Sequence, residues 1–244
     1  MFTKFIIDQT NRFEELANTT KFEELMNGRL GAVLVDYPDN RIPIVRTTTV
    51  YNNPVQKFLP IHYNLIGSIK ALSKQELEFN NALIEIYDSN YRTMGYHSDQ
   101  SLDLVPNSYI GIFSCYNDPI NNTDIRKLKI QNKSTKECSE IILEHNSFVL
   151  FSLSTNQNHL HKIILETNSS NDNRWLGVTF RLSKTFVRFI NEIPYLDSNN
   201  MVLRIANDDE KKEFYKCRGK ENQNIEYTYP NLDYTISISD TMPL

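Results

Sequence analysis

The stretch Met94-Gly95-Tyr96-His97-Ser98-Asp99 carries the most information about fold and chemistry in this 244-residue chain. In an extended strand, residues i and i+2 project to the same side, so His97 and Asp99 can reach one metal ion together. A second stretch, Asn-His-Leu-His-Lys-Ile, places His159 and His161 on one strand face, where either can supply a third ligand. Two imidazoles and one carboxylate on one side of a metal leave the opposite positions open, which is typical of non-haem Fe(II) sites.

Short β-type runs separated by Asn, Asp, Pro and Ser turns surround this motif. The predicted strands are 82–87, 109–115, 125–131, 139–143, 147–153, 159–165 and 175–183. Apolar spacing predicts helices over 9–28 and 61–72, and Ser73 with Glu76 indicates a capping box that would begin a further short helix. Helices followed by many short strands predict an α+β fold, a double-stranded β-helix (jelly roll) with the N-terminal helices packed on one side.

Composition limits the function classes. The chain has 26 Lys and Arg against 30 Asp and Glu, and its net charge of −4 argues against a broadly basic surface while leaving a local basic groove open. No apolar run is long enough to span a membrane, and the apolar start of the chain is interrupted at Asp8. Three widely spaced cysteines indicate reduced thiols. We therefore expect a monomeric cytoplasmic protein without a membrane partner; a nuclear location also stays open.

Several stretches resemble the AlkB-like branch of the Fe(II)/2-oxoglutarate dioxygenases, and they occur in that family's order. They are residues 79–87, 94–99, 109–114, 148–153 followed by 161–163, and 177–181. The resemblance implies one dioxygenase domain over residues 1–244, with its core at about 40–190 and a C-terminal extension at 191–244. It also implies Fe(II), 2-oxoglutarate as co-substrate, and hydroxylation of a C–H bond of the substrate.

The resemblance assigns the catalytic iron to His97, Asp99 and His161. His159 is the competing third ligand, because it lies on the same strand face. The resemblance favours His161, since the family's distal ligand directly precedes a small or basic residue and then Ile or Val, here Lys162-Ile163.

The far carboxylate of 2-oxoglutarate needs a cation when it is buried, and a bidentate arginine suits it. Arg181 aligns with the last arginine of the family. Six residues earlier, where the family has a second arginine, this chain has Trp175. Arg174 is one step out of register, and it would point to the opposite face of the strand unless a β-bulge intervenes.

Tyr87 matches the tyrosine that hydrogen-bonds the co-substrate in this family, with an ordinary core aromatic as the alternative. Two residues earlier the family's asparagine is replaced by Glu85. A carboxylate there would repel 2-oxoglutarate unless a cation pairs with it, and Arg181 and Lys184 are the candidates.

The resemblance implies oxidative N-demethylation of a nucleic acid, and it makes single-stranded nucleic acid the candidate partner. Residues 43–51 resemble the family's lid strand, and the residues expected to contact substrate are Arg46, Tyr51, Arg92 and Tyr96. Ser101 stands where repair members carry an acid, which predicts weak activity on 1-methyladenine-type lesions. The same chemistry on a protein side chain or small metabolite, and an inactive jelly-roll binding module, remain alternatives.

The C-terminal extension contains a charged helical run at 208–213 and then mixes aromatic and basic residues. Arg218 and Lys220 lie in this extension, which either packs against the jelly roll or contacts a polyanion through them. The alternating run 234–239 predicts an added edge strand.

Overall fold

The computed structural model describes residues 1–8, 10–120, 124–167 and 173–244. The helices and strands, in chain order, are β1 (Thr3–Ile6), α1 (Phe13–Thr19), β2 (Glu23–Met26), β3 (Arg29–Val35), β4 (Ile42–Ile44), β5 (Gln56–Lys57), α2 (Pro60–Ser73), β6 (Asn81–Tyr87), β7 (Tyr109–Tyr116), β8 (Lys127–Asn132), β9 (Cys138–Ile142), β10 (Ser147–Ser152), α3 (Leu153–Asn158), β11 (His159–Ile164), β12 (Trp175–Arg181), β13 (Thr185–Ile190), β14 (Ile193–Leu196), β15 (Arg204–Ile205), α4 (Asp208–Gln223) and β16 (Tyr234–Thr235).

A large sheet forms the first layer, with the strand order β1-β10-β7-β12-β6-β3-β2 and with β5 paired to the end of β3. Neighbours along this path are antiparallel. Because side chains alternate along each strand, one face collects residues such as Ile84 and Phe180. This face packs against α1 and α2 in a core that includes Phe13 and Leu65. The helices therefore lie on one side of the sheet, as predicted.

The opposite face of the large sheet packs against a small sheet with the order β11-β8-β9. Ile112 and Phe151 of the large sheet share a second core with Ile130 and Ile163 of the small one. Two facing, mainly antiparallel sheets with helices outside one of them form the predicted α+β double-stranded β-helix, and the fold prediction is confirmed.

The C-terminal residues pack onto this framework. The side chain of Asn207 caps α4 by accepting hydrogen bonds from the N–H groups of Asp209 and Glu210. Phe214 of α4 is buried beside Tyr234 and Ile236. A third sheet, β14-β13-β4, and the short parallel pair β15-β16 complete the described elements.

Three local predictions were wrong. The helix predicted over 9–28 is confined to Phe13–Thr19, because the chain becomes extended at Thr20. The following residues form β2, which joins β3 through a hairpin turn at Asn27-Gly28 with φ of 75° at Gly28. Ser73 ends α2 instead of beginning a new helix, since Lys74 adopts a left-handed conformation with φ of 55°. The run 234–239 pairs only at Tyr234–Thr235 before a 3₁₀ turn at Ile238–Thr241.

Within the described ranges, no helix is long and apolar enough to cross a membrane.

The packing of α2 predicts a matched pair of stability effects. Leu65 is fully buried on this helix, whereas Leu72 is 44% exposed. Leu65→Ala should lower the free energy of unfolding by about 2–5 kcal/mol, because it leaves a cavity in the core. Leu72→Ala should change it by no more than about 0.5 kcal/mol, as is usual for surface positions. Urea denaturation measures both, and equal losses would contradict the packing described for α2.

Candidate metal centre and co-substrate pocket

His97 and His161 are joined by two main-chain hydrogen bonds. The N–H of His97 donates to the carbonyl of His161 over 2.9 Å, and the N–H of His161 donates back over 2.6 Å. In such an antiparallel pair, directly opposite residues point to the same face. The two imidazole rings accordingly lie 4.7 Å apart between centroids. The segment before Asp99 thus acts as a further strand beside β11.

Asp99 is held next to this pair by its own main chain. The side chain of Asn156, in α3, accepts a hydrogen bond from the N–H of Asp99 and donates one to its carbonyl, both over 2.8 Å. Asp99 Oδ1 lies 3.4 Å from Nε2 of His161 and 3.8 Å from Nε2 of His97. One ligand atom from each of the three residues falls within 4.8 Å of the others. The three predicted metal ligands are therefore brought together.

The protonation states also suit a metal. His97 Nδ1 is 2.9 Å from the carbonyl of Gly95, so this nitrogen carries the proton and Nε2 keeps its lone pair for a metal. Desolvation, with nearby His161 and Arg218, lowers the pKa of His97 to about 3. Against the desolvation that would raise it, Arg181 and His161 hold the pKa of Asp99 well below its usual range. The site thus offers a neutral imidazole and an ionised carboxylate, the forms that bind metals.

His159 does not join this group. Its Nδ1 lies 2.9 Å from the carbonyl of Thr155, and its Nε2 lies 3.5 Å from the side-chain nitrogen of Asn132. Its ring meets Phe2 edge-on. Of the two histidines left open by strand spacing, the structure brings His161 to Asp99.

Arg181 supports the metal centre directly. Its Nε and Nη2 each lie 2.8 Å from Oδ2 of Asp99, the oxygen on the side away from the imidazoles. Its Nη1 is buried and has no hydrogen-bond partner among the described residues. Buried guanidinium nitrogens normally have partners, so this one fits an anionic ligand that enters the pocket. The donor set and this unpaired nitrogen together fit Fe(II) with an anionic co-substrate.

A cavity of about 460 Å³ opens over the three candidate ligands. One wall belongs to α4, whose Tyr215, Arg218 and Asn222 line the cavity. The spacing i, i+3, i+7 places these residues on one helix face, so the pattern was visible in the sequence although it was not assigned to the site. Tyr96 also lines the cavity, as predicted, and the ammonium group of Lys162 lies 4.6 Å from its ring centroid.

Glu85 does have a cationic partner, and it is neither of the two expected. Arg29, on the neighbouring strand β3, donates to Glu85 Oε1 from Nε over 3.0 Å and from Nη2 over 2.5 Å. Tyr87 donates to Oε2 over 2.6 Å, and Tyr51 reaches Oε1 over 3.3 Å. Burial and the charge of Glu85 raise the pKa of both tyrosines well above the usual value, so both hydroxyls remain donors. Lys184 lines a different cavity.

Arg46 and Arg92 are not placed to contact substrate, which corrects the prediction for both. Arg46 is 5% exposed, pairs with Asp103 over 2.7 Å, and donates to the carbonyls of Leu232 and Tyr234. The Arg92 guanidinium donates to carbonyls of the chain between β11 and β12. Both cations hold distant segments together, a role that local sequence does not reveal.

Tyr51 and Arg174 also need correction. Tyr51 is buried, and its hydroxyl contacts Glu85 on the wall of the cavity instead of lying at the entrance. The guanidinium of Arg174 lies 5.4 Å from the ring centroid of Phe13, which belongs to the core between sheet and helices. The pairing of β12 with β6 runs unbroken from Trp175 to Arg181, so no bulge brings Arg174 into register with Arg181.

A model of the 2OG-Fe(II) oxygenase superfamily matches residues 37–181, a span that includes His97, Asp99, His161 and Arg181. No curated protein matches the chain. Among solved structures, one titled "The structure of OsALKBH1" has 15% sequence identity, covers 64% of this chain and 78% of that chain, and has a TM-score of 0.40. That TM-score is too low for the likeness to support any argument.

The geometry predicts how the two histidines differ in metal binding. His161→Ala should abolish stoichiometric Fe(II) binding, because it removes one of three ligands. His159→Ala should keep the Fe(II) affinity within about threefold of the wild type, a free-energy difference well below 1.4 kcal/mol. Anaerobic calorimetry measures both affinities, and circular dichroism checks the fold. A larger loss in His159→Ala would transfer the ligand role to that residue.

The two arginines at the ends of β12 should differ in the same way for the co-substrate. Arg181→Gln should weaken 2-oxoglutarate binding by roughly a hundredfold or more, because it removes the unpaired Nη1 from the pocket and leaves the buried carboxylate of Asp99 without its cation, a loss on the order of 3 kcal/mol. Arg174→Gln should have little effect, because its guanidinium lies over Phe13. Co-substrate titration of the metal-loaded proteins tests this, with metal affinity measured separately. Equal losses would show that Arg174 also reaches the pocket.

Proposed function

Because this chain belongs to the 2OG-Fe(II) oxygenase superfamily, we propose that its reaction is the oxidative removal of N-methyl groups from a single-stranded nucleic acid. The family match confirms the Fe(II)- and 2-oxoglutarate-dependent dioxygenase that the motifs predicted. The domain would comprise residues 1–244, with α4 completing the pocket. The proposal about substrate rests on one observation: Tyr96, Tyr215 and Arg218 line the cavity over the candidate metal ligands, and the ammonium group of Lys162 lies against the Tyr96 ring.

In this reaction the protein's own groups hold, orient and shelter the reactants. Nε2 of His97, Nε2 of His161 and Oδ1 of Asp99 would hold the iron. When bound, the iron couples the oxidative decarboxylation of 2-oxoglutarate by O₂ to hydroxylation of a substrate C–H bond. Arg181 keeps Asp99 ionised and in position through Oδ2. Hydroxylation of an N-methyl group gives an N-hydroxymethyl product, which loses formaldehyde and leaves the demethylated nitrogen.

The proposed substrate contacts are made by residues at the entrance of the cavity. Tyr215 is half exposed, and Tyr96 is partly exposed with a cation against its ring. Bases of single strands stack on such aromatic side chains whatever their sequence, and nearby cations attract the phosphates. Because the whole chain is acidic, only this local cluster would attract a polyanion. Binding should therefore be modest and fall steeply with salt.

The contacts of Ser101 bear on which methylated bases the protein would accept. Its hydroxyl donates to Oε1 of Glu221 over 2.6 Å, and its N–H donates to the same oxygen over 2.9 Å. Neither residue lines the cavity over the metal ligands as described. The position where repair members carry an acid thus faces α4 in this chain. Weak activity on 1-methyladenine-type lesions remains the prediction.

Turnover experiments test the proposal in two steps. Purified protein with Fe(II) and 2-oxoglutarate should form succinate without substrate, and Asp99→Ala should not; absence of succinate in the wild type would favour the inactive binding module. A panel of N-methylated single-stranded oligonucleotides and methylated peptides should then give formaldehyde from the oligonucleotides. Formaldehyde or faster succinate formation from peptides alone would transfer the reaction to a protein substrate. Robust demethylation of 1-methyladenine would contradict the Ser101 argument.

Oligonucleotide binding gives an independent prediction. At low salt, the double variant Lys162→Gln/Arg218→Gln should bind a single-stranded oligonucleotide at least tenfold more weakly than the wild type, because it removes both cations at the pocket mouth. The matched control Lys21→Gln/Lys70→Gln removes two exposed charges elsewhere and should bind as the wild type does. Fluorescence anisotropy over a salt series measures both. Salt-independent binding, or equal losses in the two variants, would contradict the proposed interface.

A further inference from the structure

The cavity has a second charged group besides the metal ligands. Arg29 and Glu85 both line it, and their side chains are paired with little solvent exposure. Glu85 accepts hydrogen bonds from Arg29, Tyr51 and Tyr87, so each of its oxygens has a donor. Arg29 also lies near the rings of Tyr87 and Tyr91, at 5.9 and 5.5 Å from their centroids. A guanidinium surrounded by tyrosine hydroxyls is an arrangement that binds carboxylates.

Arg29 lies toward the other end of the sheet from Arg181. On β6, Arg181 of β12 is opposite Asn81 and Arg29 of β3 is opposite Tyr87, so the two attachment points are six residues apart along one strand. Both arginines nevertheless line the same cavity. Arg181 is bound to the candidate ligand Asp99 through Nε and Nη2, which places it at the metal end.

Strand β12 supplies no other cation to this region. Trp175 occupies the position six residues before Arg181, and its indole lies across Gly177, where an added Cβ would come within 1.9 Å of the ring. The ring also packs against Tyr87, with centroids 4.8 Å apart. Because Arg181 is engaged with Asp99 at the metal end, the second carboxylate of a 2-oxo diacid that chelates the metal would need another cation. Among the described residues on the sheet side of the cavity, Arg29 is the remaining cation.

We propose that Arg29 binds the distal carboxylate of the co-substrate and that Glu85 is a resident carboxylate that competes with it for Arg29 and Tyr87. The inference deepens the proposed function at its co-substrate only, and it does not depend on the nature of the oxidised substrate. Two carboxylates that share one guanidinium repel each other, so Glu85 weakens 2-oxoglutarate binding. Glutamine at this position keeps the shape of the side chain and removes the repulsion.

Calorimetric titration of the anaerobic Fe(II)-loaded protein tests the proposal without turnover. Glu85→Gln should bind 2-oxoglutarate about tenfold more tightly than the wild type, in keeping with removal of one like-charge contact. Arg29→Gln should bind it at least tenfold more weakly, and Arg29→Lys should keep part of the affinity because the charge remains. Pyruvate is the matched ligand, since it has the same keto acid end and no distal carboxylate. Its affinity should be the same in the wild type and in all three variants.

The results of these titrations distinguish failure of this proposal from failure of the proposed function. Weaker 2-oxoglutarate binding by Glu85→Gln, with unchanged thermal unfolding, would show that Glu85 supports the site and would overturn the competition. Unchanged binding by Arg29→Gln would move the distal carboxylate elsewhere. Parallel changes in the affinities for pyruvate and 2-oxoglutarate would indicate a disturbed metal end of the site and would also overturn the proposal. Failure of every variant to bind 2-oxoglutarate would overturn it as well. Failure of oligonucleotide binding or demethylation, with these titrations as expected, would affect the proposed substrate alone.

Discussion

The pair of main-chain hydrogen bonds between His97 and His161 is the constraint on which the candidate site depends. These residues are 64 positions apart, and their pairing adds the segment before Asp99 to the edge of the small sheet. Strand geometry then decides that both imidazoles face the same cavity. Asn156 fixes the main chain of Asp99 from α3, so the carboxylate arrives at the same point without belonging to a regular strand. Three ligands are thus positioned mainly by backbone contacts, which leaves their side chains free for a metal.

The C-terminal extension also holds the metal-binding segment in place. Asn222 of α4 accepts a hydrogen bond from the N–H of Ser98, and Glu221 accepts two from Ser101. The metal-binding segment is therefore held between the small sheet on one side and α4 on the other. The family match ends at residue 181, before this helix begins. Substitutions in α4 that loosen these contacts would reach the candidate ligands through the main chain of residues 98–101.

Local pattern was enough to predict the strands but not the partners of buried charges. The seven predicted strands agree with β6 to β12 within about two residues, because the alternation of apolar side chains is encoded in each segment itself. The helix over 61–72 was predicted for the same reason. Arg46 was misassigned because its partners include carbonyls 186 and 188 residues away. Arg29 was missed because it directly follows the stretch 9–28, where a helix was expected, whereas residues 23–35 form the hairpin of β2 and β3.

The charges around the cavity suggest how an acidic protein can select an anionic ligand. Each arginine that lines the cavity has a carboxylate partner within the protein: Arg29 with Glu85, Arg181 with Asp99, and Arg218 with Glu221. These three described pairs cancel, so the positive charge that would attract a polyanion to the rim is mainly that of Lys162, which lies against Tyr96. A bound Fe(II) adds two positive charges, and 2-oxoglutarate brings two negative ones. In a poorly solvated cavity such a match matters more than it would in water. Binding of the dianion is thereby tied to the presence of the metal, and the arginines of the cavity then hold and orient its carboxylates.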